Sequence, residues 1–227
     1  MNELIKKDML LQWRQGFWLV YLLVSIIYVV ILLNIPAENR MMVSLIMILS
    51  DTTMLGVIFV GALILLEKQQ NVLQSLFVTP LKPTQYIWSK TLSLSLIAIT
   101  MSILIYLPSW RISTYTILLF FTTLFTAGIF VMLGLAVASG VDTINQYFGS
   151  IMAVSMLIVL PVLPYLLLDF HPAFLFLPYI ASLDIMLGAV NPLPTWRIIL
   201  DLLLLSAWGL VVFHFCRSRI NKNLVDH

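Results

Sequence analysis

The chain alternates between long uncharged runs and short charged clusters, and this pattern predicts its elements. An apolar run of about 20 residues is long enough to cross a bilayer as a helix. Six such runs predict transmembrane helices at residues 17–35, 43–66, 91–110, 113–138, 147–168 and 196–215. We therefore expect an all-α integral membrane protein with six transmembrane helices, folded as a single domain over residues 1–227.

Composition supports this fold class and excludes several others. Hydrophobic residues make up 61% of the 227 residues and charged residues only 10%. A soluble domain has about half apolar and about a quarter charged residues. This chain has too few charges to cover a soluble surface, which excludes a cytosolic enzyme, a nucleic-acid binder and a disordered chain.

The distribution of Lys and Arg predicts the orientation. With six spans both termini lie on one side, and that side carries nine Lys and Arg residues against three on the other. Cytoplasmic loops are enriched in these residues, so we expect a multi-pass plasma-membrane protein with both termini in the cytoplasm. The turn at residues 139–146 has no positive charge and is placed on that side by parity alone.

The N-terminal stretch, residues 1–15, predicts an amphipathic helix on the membrane surface. Basic residues lie opposite a broad apolar face, which Asp8 and Gln12 interrupt. Helices of this kind anchor a protein to the lipid headgroups.

The longest predicted cytoplasmic connection is the loop at residues 67–90. Apolar residues recur in it at helical spacing until Thr79 and Pro80 end the pattern. The loop thus predicts a short amphipathic helix just below the membrane. Amphipathicity leaves two interpretations open: the helix packs against lipid headgroups, or it is a knob presented to a cytoplasmic partner.

The segment at residues 169–196 is too apolar for a hydrated loop and too interrupted by proline for a span. Pro172 and Pro178 are among the residues that divide it. Short apolar runs suit re-entrant segments, whose backbone must be buried against protein. We expect two short helices on the external side, which either support packing or form an external gate.

Two acidic residues fall within predicted spans, where an ionisable group is costly and usually faces protein or water. Asp201 follows Arg197 by four residues, which favours a local ion pair. Asp51 has no cation nearby in the sequence. It either lines a polar cavity or is satisfied in the bundle by Thr52 and Thr53.

The sequence shows no evident catalytic, metal-binding or cofactor-binding site. The sequence lacks the phosphate-binding loop G-x-x-x-x-G-K-[ST], so we do not expect the chain to bind ATP in that way. Its three histidines are scattered, and one cysteine cannot form an intrachain disulfide. No catalytic residue, metal site or cofactor is predicted in this chain.

The 67–90 loop also carries a family resemblance. A glutamate ends the second span, a short amphipathic helix and Leu-x-x-Thr-Pro-Leu follow, and a Tyr and a Lys lead into the third span. This arrangement resembles the permease subunit of the ABC type-2 exporter family. The matching residues are Glu67, Leu73, Leu76, Thr79, Pro80, Leu81, Tyr86 and Lys90.

The resemblance implies a mechanism that composition alone does not. Two permease chains, as a homodimer or a related heterodimer, would surround the path, and each would bind a separate ABC subunit that holds ATP and Mg. Segment 169–196 would be the outer gate, and the cargo a drug, antibiotic, peptide or lipid. The residues implied in coupling to the ATPase are Glu67, Val72, Leu73, Leu76, Phe77, Thr79 and Pro80.

Two other classes stay open at this point. An integral membrane enzyme acting on lipid would need polar residues converging at one membrane depth. A non-transporting assembly or immunity protein has the same fold demands but needs no ATPase partner. Co-purification of an ATP-binding subunit discriminates among the three.

Overall fold

The computed structural model describes residues 2–70, 72, 82–109, 114–159 and 176–225, and these are helical without a β-strand. The helices are α1 (Asn2–Arg14), α2 (Phe17–Leu33), α3 (Ala37–Met54), α4 (Val60–Gln69), α5 (Pro83–Tyr106), α6 (Thr114–Ser139), α7 (Ile144–Val159), α8 (Pro178–Leu187) and α9 (Thr195–Ile220). A π-helical turn, Leu55–Phe59, joins α3 to α4, and a second, Asn221–Val225, follows α9.

Four helical stretches are long and apolar enough to cross a membrane, namely Ala37–Gln69, Pro83–Ser109, Tyr115–Ser139 and Thr195–Asn223. A fifth candidate is α1 with α2, a pair bent by 65°. The bend falls at Gly16, whose φ of 77° is readily available to glycine. Of the predicted span 147–168, residues 147–159 lie in α7 and the remainder lies outside the described residues.

Helix α6 occupies the centre of the bundle. It packs against α5 on one side and α9 on another, and it also contacts α3, α4 and α8. In contrast, only 17% of the most apolar stretch of α9 is buried, and much of α2 is also exposed. Apolar faces of this size on outer helices are what lipid or a partner chain covers.

The π-helical turn fits closely against α6 and α7. A π-helical turn disturbs the regular i→i−4 hydrogen bonding, and here the Val57 carbonyl accepts a hydrogen bond from the Tyr147 hydroxyl. Glycines allow the contact: a Cβ on Gly61 would lie 1.9 Å from the Tyr147 ring, and one on Gly134 would lie 2.5 Å from the Gly56 carbonyl oxygen. Gly134 therefore allows a close helix contact within this chain.

One end of the bundle, which we call the base, gathers α1, the end of α4, the start of α5 and the end of α6. Lys68 of α4 donates to the carbonyl oxygens of Ser139 and Val141 at 3.0 and 2.7 Å. It thereby caps the end of α6 with a positive charge. The start of the 139–146 turn and the start of the 67–90 loop thus lie at the same end of the described bundle.

Helix α5 begins before the predicted third span. The span was predicted from residue 91, after the charge of Lys90, whereas the helix begins at Pro83. Proline suits a first helical turn because its missing N–H would have no partner there. Lys90 is inside the helix because distant acids neutralise it.

The segment before the last span contains one described helix, α8. It begins at Pro178, and its residues through Met186 are buried against α3, α6 and α9. Pro172 and the first part of the 169–196 segment lie outside the described residues.

Candidate functional site

A buried ion cluster joins three helices at the base. It consists of Asp8 on α1, Glu67 on α4, and Tyr86, Ser89 and Lys90 on α5, and we call it the base cluster. Asp8 Oδ1 lies 2.6 Å from Lys90 Nζ, and Glu67 Oε1 also pairs with this ammonium group. The side chain of Lys90 is only 2% exposed.

Each carboxylate of the base cluster also accepts a hydroxyl hydrogen bond. Tyr86 donates to Glu67 Oε2 at 2.8 Å, and Ser89 donates to Asp8 Oδ2. The four carboxylate oxygens therefore all have partners, although two acids face one lysine. The Lys90 ammonium also lies 5.5 Å from the centre of the Tyr86 ring, within the range of a cation–π contact. Buried charges are tolerated when they are paired and hydrogen-bonded in this way.

Helix α1 is held to α5 by a second contact one turn along. Gln12 donates to the Ser93 hydroxyl at 2.8 Å. Asp8 and Gln12 are four residues apart on α1, and Ser89 and Ser93 are four apart on α5, so both pairs lie on facing stripes. The two residues that interrupt the apolar face of α1 thus form polar contacts with α5.

The base cluster fixes both ends of the 67–90 loop. Glu67 stands at its beginning and Lys90 at its end, and their ion pair closes the connection between α4 and α5. Because α1 is joined to the same lysine, a displacement of the loop acts on three helices together. The described ion pairs therefore link the ends of the loop to three helices.

The structure describes two of the predicted coupling residues. Glu67 is buried in the base cluster, and Val72 is half-buried. The others, Leu73, Leu76, Phe77, Thr79 and Pro80, lie outside the described residues. Asp8, Gln12, Ser89 and Ser93 are the members of the site that sequence reasoning missed. Their signal was the matched spacing of four on two helices.

Asp51 is buried in α3, and Thr52 and Thr53 do not satisfy it. Their hydroxyls donate instead to the carbonyl oxygens of Ile48 and Ser50, at 2.7 and 2.9 Å. The hydroxyl bonds to Asp51 that one of the two interpretations assumed are therefore not formed in this structure. That it lines a polar cavity or path stays a prediction.

The expected ion pair between Asp201 and Arg197 is replaced by another. Arg197 instead bonds to Asp184 of α8, with 2.6 Å between Nη2 and Oδ2. Asp201 is fully buried, and among the described residues neither of its carboxylate oxygens has a hydrogen-bond partner. The pair therefore links α8 to the start of α9 and leaves Asp201 inside the bundle.

Comparison with known protein families gives a match over the whole sequence. The model of the fluoroquinolones export permease protein family matches residues 1–227. The chain belongs to this family. No curated protein matches it.

Membership makes this permease a membrane transport subunit of a drug-export family rather than an enzyme. It agrees with the resemblance to ABC type-2 exporter permeases.

Proposed function

We propose that the chain is the permease subunit of an ATP-driven ABC exporter in the plasma membrane. Two such chains surround the translocation path, and a separate ABC subunit binds and hydrolyses ATP with Mg. The base cluster supports this proposal most directly, because it joins both ends of the 67–90 loop to the bundle.

In this proposal the ATPase subunit binds the apolar surface of the short amphipathic helix in the 67–90 loop. Leu73, Leu76 and Phe77 supply the apolar surface, between Glu67 and the stop at Thr79 and Pro80. ATP binding favours one permease conformation only through contacts that differ between conformations. The ion pairs of Lys90 then carry the displacement into α1, α4 and α5, while α8 belongs to the outer gate.

The cargo is an amphipathic drug of the fluoroquinolone type. The family description names fluoroquinolones, and the predominantly apolar bundle suits a hydrophobic or amphipathic molecule better than an ion.

Co-purification tests the partnership. The permease is co-expressed with candidate ABC ATP-binding subunits of the same genome, and the captured complex is quantified. We expect one ATP-binding subunit per permease chain, lost in Leu76→Asp. A matched control is Gln70→Asp, which adds the same charge at an exposed position of the loop and should retain the complex. Absence of any ATP-binding subunit would contradict the proposal.

Cysteine labelling tests the orientation separately. The sole native cysteine, Cys216, is buried, so an impermeant maleimide reports chiefly on introduced cysteines. Gln69→Cys should react only after cells are permeabilised, and Asn191→Cys at the opposite end should react in intact cells. Both positions are exposed. Labelling of Gln69→Cys in intact cells would contradict the topology.

A further inference from the structure

Helix α9 carries a buried acid near the end of the bundle opposite the base. Asp201 is the seventh residue of this helix and is 0% exposed. Among the described residues neither of its carboxylate oxygens has a hydrogen-bond partner. In the base cluster, by contrast, each carboxylate accepts bonds from Lys90 and from a hydroxyl. An ionised carboxylate without such bonds is very costly inside a membrane bundle, so the protonated, neutral form of Asp201 is favoured.

A second buried acid lies nearby on α8. Asp184 is 5% exposed, and its Oδ2 atom is 2.6 Å from Arg197 Nη2. Both charges of this pair act on Asp201: Asp184 disfavours its ionised form and Arg197 favours it. Because the guanidinium is directed at Asp184, Asp201 has a carboxylate near it but no bond to the cation. A proton on Asp201 thus prevents two negative charges from facing each other inside the bundle.

The other titratable groups around this end are tyrosines. Helices α5, α6 and α8 pack against α9, and away from the base they carry Tyr106, Tyr115 and Tyr179, one on each helix. A tyrosine hydroxyl ionises at about pH 10, so these rings add no charge at neutral pH. Further titratable groups of α5 and α9 lie toward the base, namely Tyr86, Lys90, His214, Cys216, Arg217 and Arg219. Within the described part of the chain, Asp184 and Arg197 therefore set the charge balance around Asp201.

Arg197 has Asp201 within reach as well as Asp184. Arg197 and Asp201 are four positions apart in α9, so they are neighbours on one face of the helix. The arginine side chain is 23% exposed, whereas that of Asp184 is 6% exposed. The arginine thus lies at the edge of the buried region, where its long side chain has room to turn. A turn from Asp184 to Asp201 needs no movement of the α9 backbone.

We propose that Asp201 is a proton-binding site whose occupancy determines the acid with which Arg197 pairs. With the proton bound, Asp201 is neutral and Arg197 pairs with Asp184, the arrangement seen here. When the O–H bond of Asp201 breaks and the proton leaves to water, the carboxylate competes for the guanidinium. The pair between Arg197 and Asp184 is then weakened, and α8 is held less firmly to α9. Rising pH therefore loosens this contact, and falling pH strengthens it.

Other bonds of α8 do not depend on a proton. Trp208 Nε1 of α9 donates to the Phe176 carbonyl oxygen, just before α8, at 2.8 Å. The hydroxyls of Thr126 on α6 and Ser182 on α8 are 2.7 Å apart. These bonds hold the first half of α8, whereas the Arg197 pair holds its last part. The proton would thus release one end of the helix. If α8 belongs to the outer gate, that end is the part that opens, but the proton site itself does not depend on this role.

Infrared spectroscopy of the purified chain in nanodiscs tests whether Asp201 holds a proton. The carbonyl stretch of protonated carboxyl groups is recorded at neutral pH for the wild type and for Asp201→Asn. We expect a component of this band in the wild type that is lost in the variant. Asp142→Asn is the control, because the Asp142 side chain is 92% exposed and its removal should leave the band intact. Identical bands in the wild type and Asp201→Asn would overturn the proposal.

Two further variants test the exchange of partners. Asp184→Asn removes the competing charge and nearly preserves shape, so Arg197 should turn to Asp201. The Asp201 component of the band should then be lost at neutral pH, although Asp201 is still present. Arg197→Met removes the cation instead, so the component should remain. A component that persists in folded Asp184→Asn, or that vanishes in folded Arg197→Met, would contradict the exchange.

Hydrogen exchange tests the consequence for α8. The wild type and Asp201→Asn are compared at the same pH, so the intrinsic pH dependence of exchange cancels. At alkaline pH the amides of residues 183–187 should exchange several-fold faster in the wild type, and at acidic pH the two proteins should agree. A constant ratio of rates at all pH values would overturn the link between the proton and α8. Neither cargo nor ATPase enters these measurements, so their failure would leave the proposed function standing.

Discussion

Tyr86 donates a 2.8 Å hydrogen bond to Glu67, a residue 19 positions earlier in the chain. The bond spans the connection between α4 and α5, and both side chains are buried. Lys90 reinforces it through its own pair with Glu67. The two ends of the loop are therefore joined by buried side-chain bonds.

Loss of the central lysine should destabilise the base. Lys90→Met leaves two buried carboxylates without their cation, and breaking a buried pair in this way typically costs about 3–5 kcal/mol. We expect a clear fall in thermal unfolding temperature in detergent. Lys6→Met is the control, since Lys6 forms an exposed pair with Glu3 worth at most about 1 kcal/mol. Equal stability of the two variants would show that the Lys90 pairs do not hold the base together.

Release of α1 should follow from removing its two polar contacts. Asp8→Asn with Gln12→Ala takes away the ion pair with Lys90 and the bond to Ser93. Hydrogen exchange in α1 should accelerate, and trypsin should cut sooner after Arg14. Unaltered exchange and cleavage would mean that apolar contacts alone dock this helix.

The packing of the π-helical turn predicts that alanine substitutions at two glycines have different effects on thermal stability. Gly134→Ala places a methyl 2.5 Å from the Gly56 carbonyl oxygen, and overpacking of this kind costs about 1–3 kcal/mol. Gly149→Ala is the control: its Cβ has open space, and alanine favours helix by about 1 kcal/mol. Thermal unfolding should therefore fall for the first and hold or rise for the second. A neutral Gly134→Ala would contradict the close contact.

The pair between Arg197 and Asp184 should matter more to stability than the charge of Asp201. Arg197→Met leaves the buried Asp184 without this cation and should lower the unfolding temperature. Asp201→Asn should be neutral or stabilising, because its carboxylate oxygens have no hydrogen-bond partner among the described residues. A greater loss of stability in Asp201→Asn than in Arg197→Met would contradict this ranking.

Hydrophobic runs were sufficient to predict where most helices lie, because apolar side chains dominate their sequence. Charged residues were less reliable for predicting where a helix begins or ends. Lys90 was interpreted as the end of a loop, yet it is the eighth residue of α5, because Asp8 and Glu67 neutralise it from other helices. Pairings between residues about 80 positions apart have no signature in local composition.

The same physics explains which contacts of α1 were missed and why the ion pair predicted at α9 was wrong. Asp8 and Gln12 were interpreted as interruptions of an apolar face, because their partners on α5 are remote in sequence. Arg197 had an acid at helical spacing, but Asp184 offered a better geometry across two helices. Local spacing predicts which residues share a face. It does not determine which of several acids an arginine contacts.

The most direct test of the account is the ATPase rate of the reconstituted complex in proteoliposomes, measured with and without a fluoroquinolone. Phe77→Asp places a charge on the apolar knob that the ATPase subunit is proposed to grip, while the described membrane helices keep their contacts. The account predicts normal insertion of this variant and loss of drug-stimulated ATP hydrolysis, with Gln70→Asp unaffected. Full stimulation in correctly inserted Phe77→Asp would contradict the coupling role of the 67–90 loop.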